Sequence, residues 1–287
     1  MNPLVNFFLI IPMFFASFLF GQEETLSFSS MGTIWSVHFK ANNKSIDKNH
    51  ILSKLLQISS NYDETFSDWS KESELRKLEK LDLKTMVKPS PLFFQGLAQA
   101  YEAYRLTGGR FDITLGSVLW EVRSQAVGMD KIRIDYTNKK FKFIEHPERL
   151  TFGGLVKGMA VGEMASFLYK GGLKNFTING GNGNLCYIGE YVPKSLMKLP
   201  KGSDTLYFVS QSASMQNKFQ HILLPNQPSK KINKSVSVVC YCDVKEVSRW
   251  QHYGGLSDIY STALLLSKEI ILPEYCHEIV PKNSSKV

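Results

Sequence analysis

The stretch GGLVKGMAVGEMASFLYKGG, residues 153–172, is predicted to form a helix that begins and ends at pairs of glycines. Its first turn carries Lys157. The amino end of a helix attracts anions and a lysine there adds positive charge, so this turn is suited to a phosphate. A solvated surface lysine explains the same residue equally well. The stretch therefore predicts a helix and leaves two interpretations of Lys157.

A predicted strand, NFTI at 175–178, follows this helix and leads into the glycine-rich loop INGGNGNL at 178–185. Such a loop presents backbone amides after a strand, as phosphate cradles do. It lacks the G-x-G-x-x-G pattern and no predicted helix follows it, so a Rossmann dinucleotide site is not expected. An ordinary turn between strands is the favoured interpretation.

The other predicted elements show clear periodicity or turn signals. They are a half-buried strand at 33–40, a helix at 45–67 capped by Ser45, a helix at 90–109 capped by Ser90, a β-hairpin at 131–144 around Thr137 and Asn138, and strands at 205–210, 218–223 and 234–242. Helices and strands alternate with hairpins, so the predicted class is mixed α/β or α+β.

The stretch GGLSDIYSTALLLS, residues 254–267, is predicted to start a buried helix. Asp258 and Thr262 are four residues apart and therefore share one face of it. One interpretation is local: Ser257 or Asp258 caps the helix and Thr262 is buried against it. The other is that the pair faces a ligand. Two further residues have similarly local explanations, Asp112 as a helix cap and His221 as an ordinary strand histidine.

The first 21 residues are uncharged and contain an apolar run from Phe7 to Phe20. A run this short, followed by small residues, is typical of a secretory signal peptide, with an uncleaved anchor as the alternative. Residues 22–287 would then form one exported domain, in the periplasm or at the outer face of the cytoplasmic membrane.

The composition narrows the function classes further. The net charge is +8, but the basic residues are scattered without an arginine-rich stripe, which disfavours nucleic-acid binding and remains compatible with a phosphate-bearing small ligand. Four cysteines (186, 240, 242 and 276) are too few for a disulfide scaffold and lack paired zinc spacing. Packing is their expected role, with one disulfide left open.

Several segments in a fixed order make the sequence resemble the ApbE family, the flavin transferases that move FMN from FAD onto a protein hydroxyl. The segments are MGTIW (31–35), FSDWSKESELRKL (66–78), TGGRFDITLGSVLWEV (107–122), LTFGGLVKGMAVGEMASFL (150–168), NFTINGGNGNLCYIG (175–189), HILLP (221–225), SVSVV (235–239) and SDIYSTALLL (257–266). The resemblance implies an ApbE-like or T-fold-like compact domain with mixed sheets and flanking helices.

The resemblance also implies a metal site and a reaction. Mg²⁺ would be held by Asp258, Thr262 and the backbone carbonyl of Gly154. A target Ser or Thr hydroxyl would attack the FMN-side phosphorus of FAD and expel AMP, with His221 or Asp258 assisting the proton. The acceptor would be a subunit of a redox complex. The residues implied to contact FAD are Met31, Ser67, Asp68, Trp69, Arg110, Phe111, Asp112, Lys157 and Leu223.

Four positions depart from the family pattern. Glu79 stands where the family has Asn and brings negative charge towards the flavin site, Leu224 replaces an acid in H-I-x-D-P, and QSASM (211–215) replaces T-S-G. Gly162 occupies the position of an Asp that follows K-G-x-A-V. These changes leave two alternatives to transfer: an FAD pyrophosphatase that produces FMN and AMP, or an impaired flavin-binding pseudoenzyme.

Overall fold

The computed structural model describes residues 22–41, 47–81, 85–116, 127–147, 149–181, 183–199, 204–213, 215–216, 219–220 and 234–280. The predicted leader, and the predictions for Ser45, His221, Leu223 and Leu224, fall outside these ranges. None of the described helices is both long and apolar enough to cross a membrane.

The described elements are strands and helices in mixed order, which confirms the predicted mixed α/β class. The strands are β1 (Gln22–Ser30), β2 (Thr33–Ala41), β3 (Ile132–Asp135), β4 (Lys140–Phe143), β5 (Phe176–Gly180), β6 (Asn184–Ile188), β7 (Thr205–Ala213), β8 (Met215–Gln216), β9 (Phe219–Gln220), β10 (Ser235–Asp243) and β11 (Cys276–Ile279). The helices are α1 (Lys48–Phe66), α2 (Glu74–Leu78), α3 (Pro91–Leu106), α4 (Val156–Lys170) and α5 (Trp250–Leu266).

One seven-stranded antiparallel sheet organises the molecule, in the order β1-β2-β5-β6-β7-β10-β11. Helix α4 packs over β5 and β6, and α5 packs over β7 and β10. Along β2, Trp35, Val37 and Phe39 are fully buried, which is the period-two pattern of a strand with one face on the core. The sheet therefore serves as the floor on which the two helices lie.

Several predicted elements are confirmed and two helix starts are wrong. Helix α3 begins at Pro91 with Ser90 as its cap, and β3 and β4 form the predicted hairpin. Helix α1 begins at Lys48 and its cap is Asp47, whose carboxylate accepts from two backbone amides, so the helix starts later than predicted. Strands β1 and β11 are not among the predicted elements.

The start of α5 is the more consequential correction, because this helix begins at Trp250 and not near Ser257. Asp258 therefore lies in the middle of a continuous helix and cannot cap it. Both Gly254 and Gly255 lie inside the helix, where Gly254 meets α4 and Gly255 meets the Gln99 side chain of α3.

Helices α4 and α5 touch through their backbones. A Cβ atom added to Gly158 would lie 2.1 Å from the carbonyl oxygen of Gly254, and one added to Gly162 would lie 2.2 Å from that of Trp250. Gly158 and Gly162 are four residues apart and share the face that meets α5. An Asp at 162, as in the family pattern, would not fit this crossing, so the departure there has a steric reason.

A disulfide links β10 to the edge strand β11 through Cys240 and Cys276. Cys186 and Cys242 are buried and free. The single disulfide left open by the sequence is therefore present, and the other two cysteines have the expected packing role.

The backbone contact predicts that Gly158→Ala destabilises the protein. Overpacking against a helix carbonyl lowers the free energy of unfolding by about 3 kcal/mol. The better helix propensity of Ala offsets about 1 kcal/mol of this loss. We expect the free energy of unfolding to fall by about 2 kcal/mol, measured by urea denaturation. The control is Gly153→Ala, whose Cβ would meet its nearest neighbour at 3.6 Å. Equal effects of the two variants would contradict this view of the crossing.

Candidate active site

The three predicted metal ligands lie close together where α4 begins and α5 crosses it. The Asp258 side chain is buried, and the backbone amide of Gly158 donates to its Oδ2 at 3.3 Å. Gly154 lies in the turn before α4, where an added Cβ would come within 2.9 Å of Thr262 Oγ1. Only a residue without a side chain can approach Thr262 this closely. The crossing of α4 and α5 thus assembles residues from two distant parts of the sequence.

Asp258 is an unusually placed carboxylate. Burial raises its pKa from 3.8 to about 6, and the positive charge of Lys157 and the hydrogen bond from Gly158 oppose this increase only in part. Lys157 lies in the first turn of α4. A buried carboxylate with so little compensation favours the approach of a cation.

The donor set fits a hard divalent cation. It offers one carboxylate, one hydroxyl and the carbonyl of a turn glycine, and Mg²⁺ prefers oxygen and commonly uses few protein ligands. Within the described parts of the chain, no three His, Cys, Asp or Glu side chains come together as a metal cluster.

A group of buried hydroxyls that was not predicted lies beside Thr262, between β7 and α5. Ser212 Oγ lies 2.7 Å from Ser261 Oγ and 3.1 Å from Thr262 Oγ1. One helical turn earlier, Ser210 Oγ lies 2.7 Å from Ser257 Oγ. The sequence does carry a signal for this group. Ser210 and Ser212 are two residues apart on a strand and Ser257 and Ser261 are four apart on a helix, so each pair lies on one face of its element. Ser212 belongs to the QSASM segment, so that altered motif still supplies a hydroxyl to the site.

The segment from Arg110 to Asp112 lies next to the turn that contains Gly154. The ring of Phe111 is buried and would be 3.2 Å from a Cβ atom on Gly154. Asp112 accepts from the amide of Thr114 at 2.9 Å and from its hydroxyl at 2.6 Å, so it caps a short 3₁₀ turn, and burial raises its pKa. Arg110 is half-buried beside them. Phe111 is thus the member of this segment that contacts Gly154.

Asp68 connects the segment after α1 to the same turn. Its Oδ2 accepts from the Thr151 hydroxyl at 2.8 Å and its Oδ1 pairs with Arg76 at 3.1 Å. Burial raises the pKa of Asp68 to about 6, although the Thr151 and Arg76 contacts act in the opposite direction. On either side, Ser67 accepts from two following amides, whereas Trp69 is 80% exposed.

Glu79 does not bring an uncompensated charge into this region, contrary to what the sequence suggested. Its carboxylate forms a buried ion pair with Arg76, accepts from the amide of Leu150 at 2.7 Å, and lies 3.5 Å from Arg149. The extra acid is therefore part of a neutralised cluster that supports the chain leading into α4.

Met31 occupies a different place, the tight turn between β1 and β2. Its φ of 50° and that of Gly32 at 71° are both left-handed, as in the type I′ turns favoured by hairpins. Thr33, which follows, packs against Gly181 in the glycine-rich loop, and the carbonyl of Gly183 accepts from the amide of Gln211 in β7. The loop joins β5 to β6, so the expected turn between strands is confirmed.

Comparisons with known proteins agree with these observations. The ApbE family model matches residues 31–200. A FAD:protein FMN transferase from Buchnera aphidicola subsp. Schizaphis graminum is 25% identical over 245 residues, covering 76% of this chain and 70% of that protein. One from Chlamydia muridarum is 28% identical over 161 residues, covering 50% and 46%.

Solved structures share the fold. The flavin transferase ApbE from Vibrio cholerae superposes with a TM-score of 0.65 at 15% identity, covering 90% of this chain and 97% of that one. The apo flavinyl transferase ApbE from Pseudomonas stutzeri gives a TM-score of 0.66 at 16% identity, covering 86% and 90%.

The raised pKa of Asp258 predicts that Asp258→Asn stabilises the metal-free protein. A folded pKa of about 6 against an ordinary value of 3.8 destabilises the fold above pH 6, and this penalty vanishes as the pH falls towards 4. We expect a gain of about 2 kcal/mol at pH 7.5 that shrinks by pH 5, measured by urea denaturation with a chelator present.

The matched control is Asp135→Asn. Hydrogen bonds from Asn138 lower the pKa of Asp135, so this substitution should bring no gain in stability at either pH. A gain for Asp258→Asn that is absent at pH 7.5, or larger at pH 5, would contradict the burial of an uncompensated carboxylate.

The buried ion pair predicts that Glu79→Gln is destabilising. Arg76, only 4% exposed, would lose its partner, and breaking a buried pair costs about 3 kcal/mol. The control Glu72→Gln removes an exposed partner of Lys77 and should cost less than about 0.5 kcal/mol. Thermal or urea unfolding measures both, and increased stability of Glu79→Gln would show that its charge is uncompensated.

Proposed function

This chain belongs to the ApbE family, and we propose on that basis that it is a FAD:protein FMN transferase. It transfers FMN from FAD to a Ser or Thr hydroxyl of an acceptor protein and releases AMP. The observation that carries the proposal is the meeting of Asp258, Thr262 and Gly154 at the crossing of α4 and α5, with Lys157 one turn away.

We propose Mg²⁺ as the cation, bound by the Asp258 carboxylate, the Thr262 hydroxyl and the Gly154 carbonyl. When bound, it supplies Lewis-acid stabilisation of the charge on the pyrophosphate oxygens. Two observations support this proposal. The Asp258 carboxylate is buried one helical turn from the Thr262 hydroxyl, and Gly154 can lie close to Thr262 because it has no side chain.

The chain's own residues divide the remaining work. Lys157 and the amino end of α4 offer positive charge to a phosphate oxygen. In the transfer step, the acceptor oxygen forms a bond to the FMN-side phosphorus while the bond from that phosphorus to the bridging oxygen breaks. AMP leaves with that oxygen. The hydroxyl proton passes to a base, for which His221 is the proposed group, and Asp258 orients the acceptor hydroxyl.

We propose that the flavin is contacted by the residues that the family resemblance implies. Trp69 presents an exposed indole that suits stacking on a planar ring. Phe111 adjoins Gly154, and Asp68 ties its segment to the same turn through Thr151. Met31, Ser67, Arg110, Asp112 and Leu223 are the other proposed contacts.

We also propose that the protein acts outside the cytoplasm on a flavin-accepting subunit of a redox complex. The uncharged apolar run from Phe7 to Phe20 supports export. The Cys240–Cys276 disulfide adds support, since disulfides persist mainly in oxidising compartments.

The test is incubation with FAD, Mg²⁺ and a flavin-accepting protein, followed by in-gel flavin fluorescence and detection of AMP. We expect labelling and AMP in equal amounts, and loss of both with a chelator. Asp258→Ala should reduce the rate by about a hundredfold or more because it removes the charged ligand. Thr262→Ala should cost about tenfold, since water can replace a neutral ligand.

The other outcomes separate the alternatives. AMP released without labelling of the acceptor would indicate an FAD pyrophosphatase. Bound FAD without any AMP would indicate a flavin-binding pseudoenzyme. Unchanged AMP release by Asp258→Ala would refute the proposed metal site.

A further inference from the structure

The hydroxyl groups beside Thr262 form a chain whose proton directions can be assigned. A serine or threonine hydroxyl donates one proton and accepts through its lone pairs, whereas a carbonyl oxygen only accepts. Ser261 Oγ lies 2.9 Å from the carbonyl oxygen of Asp258, so the proton of Ser261 is used in that contact. The 2.7 Å contact between Ser212 and Ser261 must then use the proton of Ser212.

The same reasoning applies to the last contact. Ser212 has donated its only proton to Ser261, so its 3.1 Å contact with Thr262 requires Thr262 to donate. The hydroxyl of Thr262 therefore directs its proton towards β7. Its remaining lone pairs are left for other partners, among them a cation bound with Asp258 and Gly154.

We propose that Ser212 and Ser261 are positioning residues. They hold the Thr262 proton towards β7, so that the oxygen lone pairs of Thr262 face the cation. This inference rests on the proposed function, because it assigns a role within that metal site. The two serine hydroxyls lie at the buried interface of β7 and α5: Ser261 is fully buried and Ser212 is 7% exposed. Neither serine is proposed to contact the metal or the substrate.

The chain provides a closely matched control. Ser210 lies on the same strand and faces the same helix as Ser212. Its buried hydroxyl contacts Ser257 at 2.7 Å and donates to the Asn184 side-chain oxygen at 2.6 Å. Ser257 donates to the carbonyl of Gly254, one turn before the Ser261 contact with Asp258. Ser210→Ala thus removes a similarly buried hydroxyl on the same strand without breaking the chain that ends at Thr262.

The experiment titrates Mg²⁺ alone into the metal-free protein by isothermal calorimetry, without FAD. Ser212→Ala should weaken Mg²⁺ binding by about tenfold, the usual effect of removing a group that orients a metal ligand. Ser210→Ala should bind as the wild type does. Ser212→Thr, which keeps the hydroxyl, should restore most of the affinity.

A double variant distinguishes positioning from a general loss of structure. Since Ser212 acts through Thr262, adding Ser212→Ala to Thr262→Ala should weaken Mg²⁺ binding no further than Thr262→Ala alone. Three results would overturn the inference: additive losses in the double variant, equal losses in Ser210→Ala and Ser212→Ala, or wild-type affinity in Ser212→Ala. Each of them would leave the proposed transferase function standing. Absence of saturable Mg²⁺ binding by the wild type would refute the metal site and the inference together.

Discussion

The backbone contact between α4 and α5 is the constraint on which the candidate site depends. Gly158 and Gly162 on one helix meet Gly254 and the Trp250 carbonyl on the other, with no side chain between them. This short separation lets the Gly158 amide reach the Asp258 carboxylate, and it brings Gly154 against Thr262. A residue larger than glycine at position 158, 162 or 254 would push the two helices apart and so separate the proposed ligands.

The crossing also explains why a carboxylate can be kept in an unfavourable place. Asp258 is 5% exposed and receives one weak backbone hydrogen bond, so its ionised form is poorly compensated in the absence of a ligand. Proteins commonly retain such groups where function needs them, at the expense of stability. A cation that binds the ionised form would offset this cost, which couples the stability of the fold to occupation of the site.

Three of the four positions that depart from the family pattern lie in the described part of the chain and have local physical reasons. Gly162 is required by the helix crossing, and Glu79 is neutralised by Arg76 and anchored by the Leu150 amide. Ser212 keeps a hydroxyl in contact with Thr262. Each of these departures is accommodated by its neighbours, so none of the three gives a structural reason for loss of the site.

The sequence by itself determined those features that depend on neighbouring residues: the cap and extent of α3, the β3–β4 hairpin, and the shared helix face of Asp258 and Thr262. The order of its motifs also indicated the family. The tertiary structure decided where α5 begins, because glycines inside a helix and glycines at its boundary look alike until the partner helix is present. It likewise decided that Gly154 adjoins Thr262, that Ser212 joins their hydroxyl network, and that Cys240 pairs with Cys276. These contacts join residues far apart in the chain, and their geometry is set by how strands and helices pack, which local periodicity does not encode.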